Sequence, residues 1–277
     1  MEKLIPSHRR ADAMTWEREI TVEGTVFRVT ISDDCKALHS AYAEGRAVVG
    51  LWDPKKENQS LAPAAYVVEK LEDIDDIFLE RVVRRRLELP WIITRTNRLT
   101  VRELVPQDCL LIPDEPEAGE EGRRFLNKEY LKDYIRCQYG FYEYGIWALE
   151  ESASGRLVGK VGLSNLDLSG CPELSSAIRD KMNSPCGQRE TLLGDDDTPV
   201  ELGYHIFSLY RNQGYAREAC QAILQYGAQE VSGQIYARIE RTNLPSLKLA
   251  ESLGFRLITQ GRNGPASDLC LYGWNCR

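Results

Sequence analysis

Between residues 205 and 224 the chain reads HIFSLYRNQGYAREACQAIL: an apolar run stops at Arg211, Asn212 and Gln213, turns on Gly214 and becomes a helix at once. The first N–H groups of a helix have no partner inside it, and the aligned peptide dipoles place about half a positive charge at that end. Such a helix mouth takes phosphate. Gly214 has no Cβ and lets the backbone come close to an anion, Arg211 and Gln213 add charged and neutral donors, and Tyr215 and Ala216 open the helix. Ala216, Ala219, Cys220 and Ile223 fall on one face, which turns the helix against a sheet. The spacing therefore predicts a cradle for a diphosphate between a buried strand and a helix. Turn chemistry alone also places glycine and polar residues at such junctions.

Composition narrows the ligands. The 277 residues are 43% hydrophobic and 28% charged, with a formal net charge of −7, which is the profile of a globular chain and lacks the basic field that nucleic acid or an anionic membrane selects. No apolar run reaches the roughly 20 residues of a bilayer span. The polar start MEKLIPSHRRADAMTW has no signal-peptide core, and the expected location is the cytoplasm. Eight cysteines lie scattered without metal-ligand spacing and are expected as reduced thiols; no metal is expected. No G-x-G-x-x-G follows a strand and no G-K-[ST] occurs, so the anion differs from a dinucleotide or a nucleoside triphosphate.

The elements that must position the cradle divide into two groups. Residues 1–90 predict a small α/β domain: strands at 26–31, 47–52 and 64–68, a helix capped by Asp33 or Asp34 with Ala37, Leu38 and Ala41 inward and Gly45 as its stop, and a second helix with Ile74, Ile77, Phe78 and Val82 on its apolar face. Residues 91–277 predict a strand in NRLTVREL, helices up to about 141, a hairpin of IWALEE and RLVGKVGLSNL, and a long insertion at 167–198. The strand VELGYHIF, the helix after Gly214, the strand GQIYARIE, the helix NLPSLKLAESL and two closing strands complete the chain.

DDCKALHSAYAEGRAVVGL, residues 33 to 51, resembles a fragment of the haloacid-dehalogenase-like hydrolases. That resemblance implies acidic magnesium ligands, but no D-x-D nucleophile follows an apolar strand, so this domain is expected to be a non-catalytic remnant. A magnesium-dependent phosphatase is the reading it would support.

ELGYHIF, RNQGYAREA, ARIERTN and LAESLGF, in this order and spacing, resemble the GCN5-related N-acetyltransferases, specifically the Rim-type branch, over about 97–277. The resemblance implies an α+β fold with a central mixed, mostly antiparallel sheet, acetyl-CoA as co-substrate, and direct attack by a primary amine of a small molecule or a protein N-terminus. It implies that the backbone at Ile206 and Phe207 meets the pantetheine and acetyl carbonyl, that Arg211, Asn212, Gln213, Gly214, Tyr215 and Ala216 hold the pyrophosphate, and that Asn243 contacts the cofactor. Asn243 is equally suited to cap the next helix.

For catalysis the resemblance implies Glu201 as general base, with a solvated or ion-paired strand carboxylate as the alternative. The usual family acid, a tyrosine, is replaced by Ala250 here. Ser246, three residues after Asn243, is the candidate partner of the departing thiolate, and an ordinary first-turn serine is its alternative. His205, one of three histidines, alternates along the strand and has a pKa range suited to acid–base work. Tyr139, Phe141, Tyr142 and Tyr144 border the expected acceptor region, or are core. Asp114, Glu115, Glu117, Glu120 and Glu121 form an acidic loop expected to be solvated. The rival reading is a catalytically silent coenzyme A-binding module with a docking N-terminal domain. Oligomeric state, a homodimer included, stays open.

Overall fold

The computed structural model describes residues 5–10, 13–182, 199–231, 234–262 and 267–274. It divides into two compact units, Met1–Trp91 and Ile92–Arg277.

In the first unit five strands stand in the order β1 (Ile5–Arg10), β2 (Ala13–Val22), β3 (Thr25–Ser32), β4 (Ala47–Leu51) and β5 (Tyr66–Val68). The first three pair antiparallel, and β3, β4 and β5 run parallel. Strands β1 and β2 escape the sequence reading because β2 interleaves charges with Trp16, Ile20 and Val22. Its turn is the two-residue Glu23-Gly24, at φ 50° and 79°, the left-handed pair that a tight hairpin requires. Helix α1 (Cys35–Ala43) starts where the Asp34 carboxylate accepts the Lys36 N–H and buries Leu38 and Ala41. Helix α2 (Asp76–Arg86) is capped by Asp75 and buries Leu79, Val82 and Val83. Ile77, expected on its inner face, is 59% exposed, because the helix begins one residue before it and turns Leu79 inward instead.

The second unit is an eight-stranded sheet. Its members are β6 (Ile92–Arg95), β7 (Leu99–Arg102), β8 (Ile146–Glu151), β9 (Arg156–Asn165), β10 (Val200–Ile206), β11 (Ile235–Glu240), β12 (Arg256–Gln260) and β13 (Leu269–Trp274), in the order β12-β13-β11-β10-β9-β8-β7-β6. Every neighbour pair is antiparallel except β10 and β11. That parallel pair needs a crossover, and helix α6 (Tyr215–Glu230) supplies it. Ala219, Cys220, Ile223 and Leu224 of α6 pack on Val200, Leu202 and Ile206 of β10, with Ala250 of α7 (Leu244–Ser252) in the same core. Burial at this depth pushes the Cys220 thiol up to about 12, so it is an inert packing group.

The opposite sheet face near β8 and β9 is covered by Phe125, which follows α3 (Gly119–Arg124), by Leu131 of α4 (Lys128–Tyr134) and by Ile135 of the wide helical turn Ile135–Tyr139. Further along the sheet, α5 (Pro172–Met182) packs on Tyr236 and Leu271. Helix α5 thus occupies the start of the expected 167–198 insertion, and residues 183–198 lie outside the described residues.

Candidate active site

The site is built where β10 leaves β11. Val200 pairs with Ile235 and Glu201 with Tyr236, and there the ladder ends. On its other edge β10 stays in register with β9 as far as Ile206 opposite Gly159. The stretch from Leu202 to Ile206 is therefore held on one side and unpaired by β11 on the other. Ile206 and Phe207 are buried at the end of this opening, and the Phe207 N–H donates to Val158 O at 3.0 Å.

Beyond it Asn212 and Gly214 both take left-handed backbones, φ 61° and 83°. Gly214 caps α6 with no side chain donating or accepting at the cap. The Tyr215, Ala216 and Arg217 N–H groups precede the first helical bond, which Glu218 N makes to Gly214 O. A Cβ at position 214 would stand 3.3 Å from Nη2 of Arg98. Arg98 places a cation at this mouth. It donates to Gln213 O at 2.9 Å, pairs with Glu218 at 2.6 Å and lies 4.7 Å over the Tyr215 ring. Burial works against the Glu218 charge, but the Thr96 hydroxyl and Arg98 hold its carboxyl below the usual range.

Arg211, expected as a phosphate ligand, is turned back instead. Its Nε donates to Ile206 O at 3.0 Å and its Nη2 stands 3.5 Å from Glu115. Gln213 Nε2 reaches Leu209 O at 3.4 Å, and Tyr215 donates its hydroxyl to Glu151 while its ring is buried.

Residues alternate along β10. Tyr204 points to the α6 and α7 side, where its hydroxyl lies 2.9 Å from Ser246 Oγ. Burial raises the Tyr204 pKa against the opposing effect of Ser246. Asn243 caps α7, its side-chain oxygen accepting the Ser246 N–H at 3.2 Å. Glu201 lies on the other face, pairing with Arg238 at 3.1 Å. Burial raises the Glu201 pKa, Arg238 opposes that rise, and the Glu121 carboxylate adds to it. Glu201 and Ser246 therefore flank the opening from opposite faces of the sheet.

One acidic-loop expectation changes, and the aromatic cluster divides between its two readings. Glu115 is buried, not solvated, and accepts from His205 Nε2 at 2.6 Å and from the Ser208 N–H at 2.7 Å. Tyr139 is wholly buried, its hydroxyl bonded to Ile146 O and Leu104 N, whereas Phe141 is 79% exposed. In the first unit, Asp33 accepts the Met14 N–H at 2.8 Å and Lys56 Nζ at 2.7 Å, and with Asp34 it serves the local backbone. No group of three or more metal-ligating side chains occurs among the described residues.

Arg98, Glu115, Tyr204, Glu218 and Arg238 were absent from the sequence-derived site. Their partners lie 37 to 120 residues away along the chain for Arg238 and Glu218 respectively, and no local periodicity marks such pairings.

The profile of the acetyltransferase (GNAT) domain matches residues 98–256, more than half of this chain. The "Uncharacterized N-acetyltransferase YnaD" of Bacillus subtilis (strain 168) is 40% identical over 57 residues, 20% of this chain and 34% of that protein. The "Uncharacterized N-acetyltransferase p20" of Bacillus licheniformis is 30% identical over 98 residues, 34% of this chain and 54% of that protein. The chain thus spans about a third to a half of the length of these two curated relatives. Among solved structures, the ribosomal-protein-S5-alanine acetyltransferase of Vibrio fischeri aligns with TM-score 0.44 and 17% identity, covering 65% of this chain and 94% of that one. The domain match does not reach residues 1–97, and the haloacid-dehalogenase resemblance there finds no support in it.

Proposed function

This chain belongs to the GNAT family of acetyltransferases, and on that premise we propose that it moves an acetyl group from acetyl-CoA to a primary amine by direct attack. The acceptor is a small molecule or a protein N-terminus, in the manner of the Rim-type branch. One observation carries the reading: an uncapped α6 N-terminus, with Gly214 at φ 83°, stands beside the opening between β10 and β11.

The bare N–H groups from Tyr215 and Ala216 onward suit a pyrophosphate, since a helix mouth binds anions by both donors and dipole. Asn212, Gln213 and Gly214 shape the approach. Arg98 adds positive charge, and Arg211 joins on leaving Glu115. The unpaired β10 edge at Ile206 and Phe207 suits the pantetheine amide and the thioester, with Asn243 alongside. Bound acetyl-CoA supplies the activated acyl group. Glu201, with its raised pKa, removes a proton from the acceptor through water, and Ser246, backed by Tyr204, hydrogen-bonds the departing sulfur.

The test is thiol release from acetyl-CoA with a panel of peptides, polyamines and aminoglycosides, comparing wild type with Glu201→Gln and Ser246→Ala. An acceptor-dependent rate that both substitutions reduce is expected. The engagement of Glu201 by Arg238 favours the silent coenzyme A-binding module as a second reading. It predicts cofactor binding with no acceptor-dependent rate in any variant.

A further inference from the structure

Glu201, Gly203 and His205 project from the same face of β10, in uninterrupted register with Ser164, Gly162 and Lys160 of β9. At a rise of about 3.3 Å per residue, Glu201 and His205 have Cα atoms about 13 Å apart. Between them the strand carries no side chain. A Cβ at Gly203 would touch only Ile146 Cδ1, at 3.7 Å, and the Glu201 and His205 side chains are 15% and 24% exposed. The result is a hollow floored by glycine and flanked by a carboxylate and an imidazole.

The imidazole is oriented. Its Nε2 lies 2.6 Å from Glu115 Oε2, and the other oxygen of Glu115 accepts the N–H and the hydroxyl of Ser208. Burial alone would raise the Glu115 pKa, yet Ser208 and His205 hold it below the ordinary range, so this carboxylate is charged. A buried carboxylate on one ring nitrogen fixes the tautomer that leaves Nδ1 as the acceptor of a proton. The remaining charged groups around the ring are Lys160 on β9, Arg211 beyond β10 and, along β10, Glu201 with Arg238 of β11. Lys160 is buried, its ammonium 4.2 Å over the Phe125 ring, and burial pushes it down to about 8.

From this geometry we infer that the acceptor amine sits over Gly203 and that His205, held by Glu115, takes the first of the two protons the ammonium loses, the second leaving through water toward Glu201. The inference rests on the acetyl-transfer reading. The ammonium gives one proton to His205 Nδ1. The freed nitrogen lone pair then forms the C–N bond to the acetyl carbonyl carbon as the C–S bond breaks, with its electron pair going to sulfur. The nitrogen loses its second proton, the sulfur takes up one, and His205 passes its own to solvent, so one proton is released per turnover. Glu201, tied to Arg238, faces the other end of the hollow.

The experiment compares wild type with His205→Gln, His205→Ala, Glu115→Gln and Gly203→Ala, using acetyl-CoA and the best amine of the panel. Melting temperature and acetyl-CoA affinity are followed in parallel. His205→Gln should lower kcat/KM by about 100-fold or more, the ordinary scale of a lost general base, with acetyl-CoA affinity unchanged. Added imidazole should restore activity to His205→Ala but not to wild type. Gly203→Ala fits without displacing a neighbour and should raise the amine KM severalfold while leaving cofactor affinity intact.

An active wild type whose His205→Gln form stays within about threefold of it, or whose His205→Ala form gains nothing from imidazole, overturns the inference. A wild type inactive on every amine overturns the acetyl-transfer reading instead, and the two failures are told apart by that control.

Discussion

The Ser246 hydroxyl lies 2.9 Å from the phenol oxygen of Tyr204, tying the first turn of α7 to the strand that carries Glu201 on its opposite face. This bond joins a residue expected from sequence to one that was not. Because burial raises the Tyr204 pKa, the phenol stays protonated through neutral pH and can donate to Ser246, leaving the serine hydrogen for a thiolate.

Removing that relay should slow turnover more than it weakens binding. Ser246→Ala is expected to lower kcat by about tenfold or more with little change in amine KM, and Tyr204→Phe to lower it less. In the double-mutant cycle the two should couple by roughly 1 kcal/mol, the scale of a neutral hydrogen bond. Additive effects would show that the two hydroxyls act separately.

Glu201 predicts a pH-dependent stability. Its folded pKa is raised, chiefly by burial, so its contribution is fully present below the unfolded value of about 4.3 and is lost as pH rises through the folded value. Glu201→Gln removes that loss. The variant should melt higher than wild type at pH 8, with the gain shrinking toward pH 4, while kcat falls about 100-fold. Equal melting temperatures at both pH values would contradict this.

Arg102 and Asp108 form a pair 2.8 Å apart with side chains 11% and 2% exposed, and Glu150 also meets Arg102 at 2.9 Å. Asp108 additionally accepts the Val105 N–H, which fastens the segment leading to Glu115. Asp108→Ala leaves a buried guanidinium half-paired and should cost about 3 kcal/mol in urea unfolding. A cost under 1 kcal/mol would remove this pair from the account.

Arg98 offers a cation at the helix mouth that sequence did not single out. Arg98→Ala should weaken acetyl-CoA about tenfold and steepen no other parameter, since it removes one charge-assisted donor. Cofactor affinity that does not change would mean that Arg98 serves only Glu218 and the Tyr215 ring.

Sequence carried the junction at Gly214 well, because a left-handed glycine, a polar turn and an apolar helix face are all local signals. It carried seven of the eight strands of the second unit for the same reason, but not β6 (Ile92–Arg95), nor the order of the strands in the sheet. Asn243 and Ser246 were legible as a cap and a first-turn hydroxyl, and the structure gives Asn243 that cap. Glu115 was not legible: five acids within eight residues read as a solvated loop, and only the fold brings one of them to His205, 90 residues on. The resting partners of Arg211 were hidden for a related reason. Its charge was visible, but the carbonyl of Ile206 and the carboxylate of Glu115 that turn it back belong to tertiary structure. In the first unit, β2 was hidden because a strand at this position mixes charges with its apolar residues.

The central claim is that the open N-terminus of α6 binds the diphosphate of acetyl-CoA, and calorimetric titration of wild type and Gly214→Val tests it most directly. The account predicts saturable binding at one site per chain for wild type. A valine forced to φ 83° beside Arg98 should weaken it at least tenfold, since a β-branched residue resists that backbone by about 1–2 kcal/mol and its side chain fills the approach. No heat of binding at saturating acetyl-CoA, or equal affinity in the two proteins, would contradict it.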